Sequence, residues 1–150
     1  MVSDYKEILS DSAKGMKRSA IRELLKLTQK PEIISFAGGL PAKESFPLEQ
    51  LQEICAEVIA TDGAAACQYG STEGVPELLE ILAQRYRDQG LSYVTKENIT
   101  IITSSQQGLD TVGKIFLNRG DKYICELPSY LGAIGAFNSY GGIGVGIPQD

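Results

Sequence analysis

The chain has 150 residues, 43% hydrophobic and 22% charged, a balance suited to one ordinary globular core and without any stretch that reads as a membrane span. A formal charge of −5 with no Lys/Arg run argues against nucleic acid as the main partner, because a phosphate backbone is held by clustered positive charge. Histidine is absent, which removes Ser-His-Asp and Cys-His catalysis and imidazole metal sites together, and Cys55, Cys67 and Cys125 lack Cys-x-x-Cys spacing and read as reduced core or boundary thiols.

The opening Met-Val-Ser-Asp-Tyr-Lys-Glu has neither the basic start nor the apolar run of a secretory signal, so a cytoplasmic location is expected. Ser19 is placed to cap a helix whose apolar residues Ile21, Leu24, Leu25 and Leu27 largely share one face, with Arg22 and Glu23 off its centre. A short extended piece from Ile33 to Phe36 leads into Gly38-Gly39. Pro41 and Pro47 bracket a loop, and Pro47 suits the first turn of a helix with the face Leu51, Ile54, Cys55, Val58 and Ile59, ended by Thr61-Asp62-Gly63. Pro76 starts another helix, with Leu78, Leu79, Leu82 and Tyr86 inward and Gly90 as its stop.

A regular alternation follows: strand about 98–103, helix 105–118 closed by Gly120, strand 122–127, helix about 130–140 closed by Gly141-Gly142, strand 143–147. Strands alternating with helices across short turns predict an α/β fold with a parallel sheet and right-handed crossovers. Three such strands leave an open edge and uncovered apolar faces, although parallel sheets are normally buried on both sides. The chain therefore looks cut off.

The chemistry concentrates in residues 99–110. A β-branched run enters the turn Ser104-Ser105-Gln106-Gln107-Gly108, which opens an amphipathic helix. Helix starts leave backbone N–H groups unpaired and carry the positive end of the macrodipole, so this turn suits an anion. Downstream, Glu126-Leu127-Pro128-Ser129-Tyr130-Leu131-Gly132 sets an aromatic face at a strand's carboxyl end, near where such a phosphate would lie. Together they suggest a phosphorylated aromatic cofactor. Taken singly, Ser105 and Gln106 also fit a plain polar N-cap, Tyr130 a boundary tyrosine, Gly38-Gly39 a simple turn, and Ser19 and Arg22 a cap and a solvated helix residue.

These two segments, with Ser35-Phe36-Ala37-Gly38-Gly39-Leu40-Pro41 and Gln68-Tyr69-Gly70-Ser71-Thr72-Glu73-Gly74, resemble the fold-type I, class I/II aminotransferases that use pyridoxal 5'-phosphate (PLP), in particular their 2-aminoadipate/kynurenine branch. The likeness runs from about residue 19 to residue 148. It implies the aspartate aminotransferase-like PLP-dependent transferase fold, of which this chain would be the N-terminal portion, with residues 1–46 as the arm and substrate-side segment and residues 47–150 as the first, incomplete part of the PLP-binding large domain.

The resemblance also implies roles. Ser105 and Gln106 match positions that hold the cofactor phosphate, Tyr130 the residue that stacks on the pyridine ring, and Tyr69 a tyrosine that reaches the neighbouring subunit's phosphate across a homodimer. Gly39 matches a position where substrate approaches the backbone, and Arg22, beside Ser19, one that grips a substrate's distal carboxylate. The implied activity is amino transfer from an L-amino acid, 2-aminoadipate-like or broad, to 2-oxoglutarate, in amino acid metabolism. The Schiff-base lysine, the aspartate for the pyridine nitrogen and the arginine for the α-carboxylate belong to later sequence in the family. No lysine here, Lys114 and Lys122 included, stands in the Schiff-base motif, so no catalytic residue and no metal ligand is nominated. Two other readings are a catalytically silent aminotransferase-like subunit or effector module, and an unrelated nucleotide-binding α/β domain, which would lack both a Gly-x-Gly-x-x-Gly fingerprint and a Gly-x-x-x-x-Gly-Lys loop.

Overall fold

The computed structural model describes residues 5–15, 32–34, 36 and 39–149. The helix expected behind Ser19, with Arg22, lies outside them. In chain order the elements are α1 (Asp11–Gly15), α2 (Leu48–Ala66), α3 (Pro76–Asp88), α4 (Ser104–Phe116), β1 (Lys122–Leu127), α5 (Leu131–Ser139) and β2 (Ile143–Pro148), with single 3-10 turns at Tyr5–Ile8, Lys43–Ser45 and Lys96–Asn98. They fall into two compact units, Ala20–Ile101, and Met1–Ser19 with Ile102–Asp150. No helix among the described residues is long and apolar enough to cross a membrane.

In the unit Ala20–Ile101, α2 follows Pro47 directly. It does not stop at Thr61-Asp62-Gly63 as expected: Asp62 leaves helical geometry (φ −141°, ψ 28°), and the helix resumes to Ala66. The Thr61 hydroxyl donates to the Glu57 carbonyl (2.8 Å), a back-bond that bends helices, while the Ala64-Ala65-Ala66 run has the strongest helix propensity available. The expected apolar face of α2 is in place but uncovered in the described structure, with Leu51, Ile54, Val58 and Ile59 all exposed.

Helix α3 begins with Pro76, whose missing N–H costs nothing in a first turn. Its buried stripe is narrower than expected. Leu79 and Ala83 are buried and Leu82 half-buried, whereas Leu78 and Tyr86 at the margins stay exposed, because the helix packs on the short Lys96–Asn98 turn. Arg87 ties the two together, donating to the Val94 carbonyl (3.0 Å) while pairing with Glu80 (2.7 Å). Gly90 turns the chain away at φ +97°. Gly74 is required twice over: its φ is +128°, and a Cβ there would lie 2.6 Å from the Ile101 side chain.

The expected strand at 98–103 does not form a ladder among the described residues. A strand exists by pairing, and here the Ile101 N–H is taken by the Glu73 carbonyl (2.7 Å) while the Thr103 N–H goes to the Gln107 side chain. Among the described residues the parallel sheet therefore has two strands, β1 and β2, in register from Lys122↔Ile143 to Leu127↔Pro148. Helix α5 connects them. It carries Phe137 edge-on to Tyr123 of β1 (5.0 Å, 71°), and the Tyr123 hydroxyl donates to Asn138 (2.9 Å).

Helix α4 ends at Phe116, two residues before the expected 118, and Gly120 (φ +92°) serves the turn into β1, donating to the Gly141 carbonyl (2.8 Å). Helices α4 and α5 meet at the buried Gly113, where a Cβ would fall 2.9 Å from Tyr140 and 3.2 Å from Phe137. The Tyr140 hydroxyl then donates back to Asp110 of α4 (3.0 Å). Ala136 is the buried residue of α5, and Ile124, Val145 and Ile147 on the sheet remain exposed. Helix α1 lies at the end of α5, its Ser12 hydroxyl donating to the Ser139 carbonyl and Asp11 pairing with Arg119 (3.2 Å).

Candidate functional site

The turn into α4 is the least ordinary backbone in the unit Met1–Ser19 with Ile102–Asp150. Among the described residues other than glycine, Ser104 alone has a positive φ, +68°. That left-handed conformation costs a non-glycine residue about 1–3 kcal/mol and is a recurrent mark of functional turns. The N–H groups entering the turn have local acceptors: Thr103 donates to the Gln107 side chain and Ser104 to the Ile102 carbonyl (3.1 Å). Ser105 and Gln106 follow as the second and third residues of α4, where helix geometry supplies no carbonyl for their N–H groups. Both residues are exposed, so two backbone donors and the Ser105 hydroxyl face solvent at the positive end of a helix of 13 residues.

The Gln106 side chain points elsewhere. Its Nε2 donates to the Gly132 carbonyl (3.3 Å), which joins the α4 turn to the start of α5. Tyr130 is the N-cap residue of α5 in extended geometry (φ −68°, ψ 119°), and its ring lies over Gly132 with 62% of the residue exposed. A Cβ on Gly132 would sit 2.5 and 2.6 Å from Tyr130 ring atoms and 2.7 Å from the Gln106 Oε1. The absence of a side chain at Gly132 is therefore what lets the aromatic ring and the Gln106 amide share this corner.

Anion donors on one side and an accessible aromatic face on the other match a phosphate attached to a flat ring, so the donor set and the cradle at Gly132 fit a phosphorylated aromatic cofactor. Ser129 is half-buried just before the ring, and Glu126 pairs in register with Ile147 near the strand end.

Of the other residues singled out in the sequence, Tyr69 and Gly39 lie in the unit Ala20–Ile101. Tyr69 is 99% exposed, and its N–H donates to the Gln68 side chain (2.8 Å). A Cβ on Gly39 would meet no atom within 4 Å, so nothing in the described structure itself demands glycine there. Ser19 and Arg22 lie outside the described residues. Sequence reasoning missed Gly132 and Gln107. A glycine two residues after an aromatic N-cap, and a glutamine four residues after Thr103 at a strand-to-helix turn, were the available signals.

The family described as aminotransferase class I and II matches residues 31–148. The aromatic-amino-acid aminotransferase 1 of Thermococcus litoralis is 45% identical over 147 residues, covering 98% of this chain and 35% of the relative. Among solved structures, the alpha-aminoadipate aminotransferase of Thermus thermophilus, complexed with N-(5'-phosphopyridoxyl)-L-leucine, superposes with a TM-score of 0.81 at 41% identity, covering 97% of this chain and 34% of that one. The Pyrococcus horikoshii kynurenine aminotransferase, in complex with PMP, gives a TM-score of 0.83 at 39% identity and covers 100% and 37%. The chain thus spans about a third of the length of the proteins it matches. Its fold is the corresponding part of the PLP-dependent, aspartate aminotransferase-like fold. By the match over residues 31–148 and by this likeness, the chain belongs to the class I and II aminotransferase family.

Proposed function

We propose that this chain is the N-terminal part of a PLP-dependent aminotransferase, a cytoplasmic homodimer, that moves the amino group of a 2-aminoadipate-like or broader range of L-amino acids to 2-oxoglutarate. The observation that carries the reading is the corner at Gly132, where the Gln106 amide and the Tyr130 ring meet beside the free N–H groups of the α4 start. When bound, PLP supplies the electron sink for amino transfer. Everything else falls to protein groups.

In this reading the N–H groups of Ser105 and Gln106 and the Ser105 hydroxyl bind the phosphate, each bond to a charged oxygen contributing on the order of 1.5–3 kcal/mol. The Tyr130 ring would pack against the cofactor's aromatic ring. Gln106 acts in two ways: its backbone holds the anion, and its side chain keeps the Gly132 corner closed. Residues 47–150 form the first part of the cofactor-binding large domain and residues 1–46 the arm on the substrate side. Tyr69, exposed in the unit Ala20–Ile101, donates its hydroxyl to the phosphate in the partner subunit. Gly39 leaves space for substrate beside the backbone. Arg22 offers a planar pair of donors to the distal carboxylate of an acidic substrate, with Ser19 beside it.

The proton-transfer lysine is assigned to none of the lysines here, so residues 1–150 alone do not transaminate. Titration of the full-length protein with PLP tests the reading. Ser105→Ala and Tyr130→Ala are expected to weaken PLP binding while leaving the fold intact by circular dichroism. Full PLP affinity in both variants, or conversion of 2-aminoadipate by the isolated 150-residue chain, would overturn it.

A further inference from the structure

Resting on the cofactor reading above, we propose that Gln107 is a positioning residue for the phosphate site: its side chain holds the turn that aims the Ser105 and Gln106 N–H groups, without touching the ligand. Three observations converge. The Gln107 Oε1 accepts the Thr103 N–H, reaching back across the turn. Between those two residues sits Ser104 at φ +68°, a conformation that surrounding contacts must maintain. On the far side of the same turn, the Ser104 N–H is drawn to the Ile102 carbonyl (3.1 Å), and Ile102 packs so closely on α4 one turn in that a Cβ on Gly108 would fall 2.6 Å from its Cδ1.

Each of these contacts turns a donor or a side chain away from the exposed mouth of the helix, and Ser105 and Gln106 are the residues left facing it. The arrangement resembles a capping box, in which a glutamine reaches back to a backbone N–H at the helix start, displaced here by one residue. Replacing the acceptor frees the Thr103 N–H and lets Ser104 relax toward negative φ. That relaxation swings the Ser105 N–H off the phosphate direction. The consequence is specific to the phosphate, because the ring platform at Tyr130 is tied to the turn by Gln106 and not by Gln107.

The test is the ratio of PLP to pyridoxal affinity, measured by titrating the full-length apo protein. Pyridoxal lacks the phosphate, so the ratio isolates what the α4 turn contributes. Gln107→Met keeps side-chain length and helix propensity while removing the acceptor, and should cut the ratio by about 3- to 10-fold with pyridoxal affinity unchanged. Amide hydrogen exchange at Thr103 should rise in the same variant, and Gln107→Ala should repeat both effects if Met packs poorly. A merely structural role would lower both affinities together and leave the ratio alone. An unchanged ratio in Gln107→Met, with Ser105→Ala reducing it, overturns the inference and leaves the cofactor reading standing. An unchanged ratio in both variants means that the phosphate reading itself has failed.

Discussion

Gly132→Ala separates fold stability from cofactor binding, because the first should hardly move and the second should fall. Gly132 is the second residue of α5, so alanine favours the helix there by up to about 1 kcal/mol. The added Cβ would lie 2.5 and 2.6 Å from Tyr130 ring atoms and 2.7 Å from the Gln106 Oε1, closer than real contacts allow. These are the far ends of flexible, exposed side chains, so the fold accommodates the methyl by swinging the ring and the amide aside. The cofactor then loses an aromatic stack of about 0.5–1.5 kcal/mol, while the broken Gln106–Gly132 bond, internal to the protein, costs the fold about as much as the alanine contributes. The lost stack corresponds to about 2- to 13-fold weaker binding. The assay pairs thermal unfolding of the apo full-length protein with PLP titration. Stability within about 1 kcal/mol of the parent, with PLP affinity reduced at least about 2-fold, is the expected result. Unchanged PLP affinity in a folded Gly132→Ala protein would show that the cofactor does not use the Tyr130 corner.

Other substitutions probe the parts separately. Ser104→Gly, which accepts φ +68° without strain, should keep PLP affinity and stability within about 1 kcal/mol, whereas the β-branched Ser104→Val should weaken both; thermal unfolding and PLP titration decide between them. Gly74→Ala sets a Cβ against Ile101 at φ +128° and should destabilise the protein by about 1–3 kcal/mol in urea unfolding. In alkali, partial burial and the acceptor carboxylate of Asp110 raise the Tyr140 phenol above its ordinary value. Its contribution is therefore complete below that ordinary value and lost as pH rises through the raised one, and Tyr140→Phe should flatten the alkaline limb of a stability profile. In the intact protein, Arg22→Gln should slow dicarboxylic substrates selectively; an equal loss of kcat/KM for leucine and 2-aminoadipate would refute the carboxylate role.

Elements whose stability is local were legible in the sequence. β1 and the start of α3 fall where the alternation, Pro76 and Gly90 put them, because proline and glycine act on the backbone irrespective of tertiary partners. The 98–103 segment departs from the expected strand for the opposite reason. Its β-branched residues favour extended backbone, but a strand needs a neighbour, and the donors at Ile101 and Thr103 are taken by Glu73 and Gln107. The kinked end of α2 turned on a contest between Thr61-Asp62-Gly63 and the alanines behind them, which propensity alone leaves undecided. At the candidate site, Ser105, Gln106 and Tyr130 were named from motif likeness, while Gly132 and Gln107 matter through contacts across the turn that spacing does not reveal. Ser19 and Arg22 lie outside the described residues and rest on the resemblance alone.

The central claim is that these residues cradle PLP for a chain whose lysine lies elsewhere. It is tested most directly by adding PLP to the native source protein, reducing with borohydride, and mapping the product by intact mass and peptide mass spectrometry. The account predicts one phosphopyridoxyl adduct per chain, on a lysine beyond residue 150. No adduct, or an adduct on a lysine within these 150 residues, would contradict it.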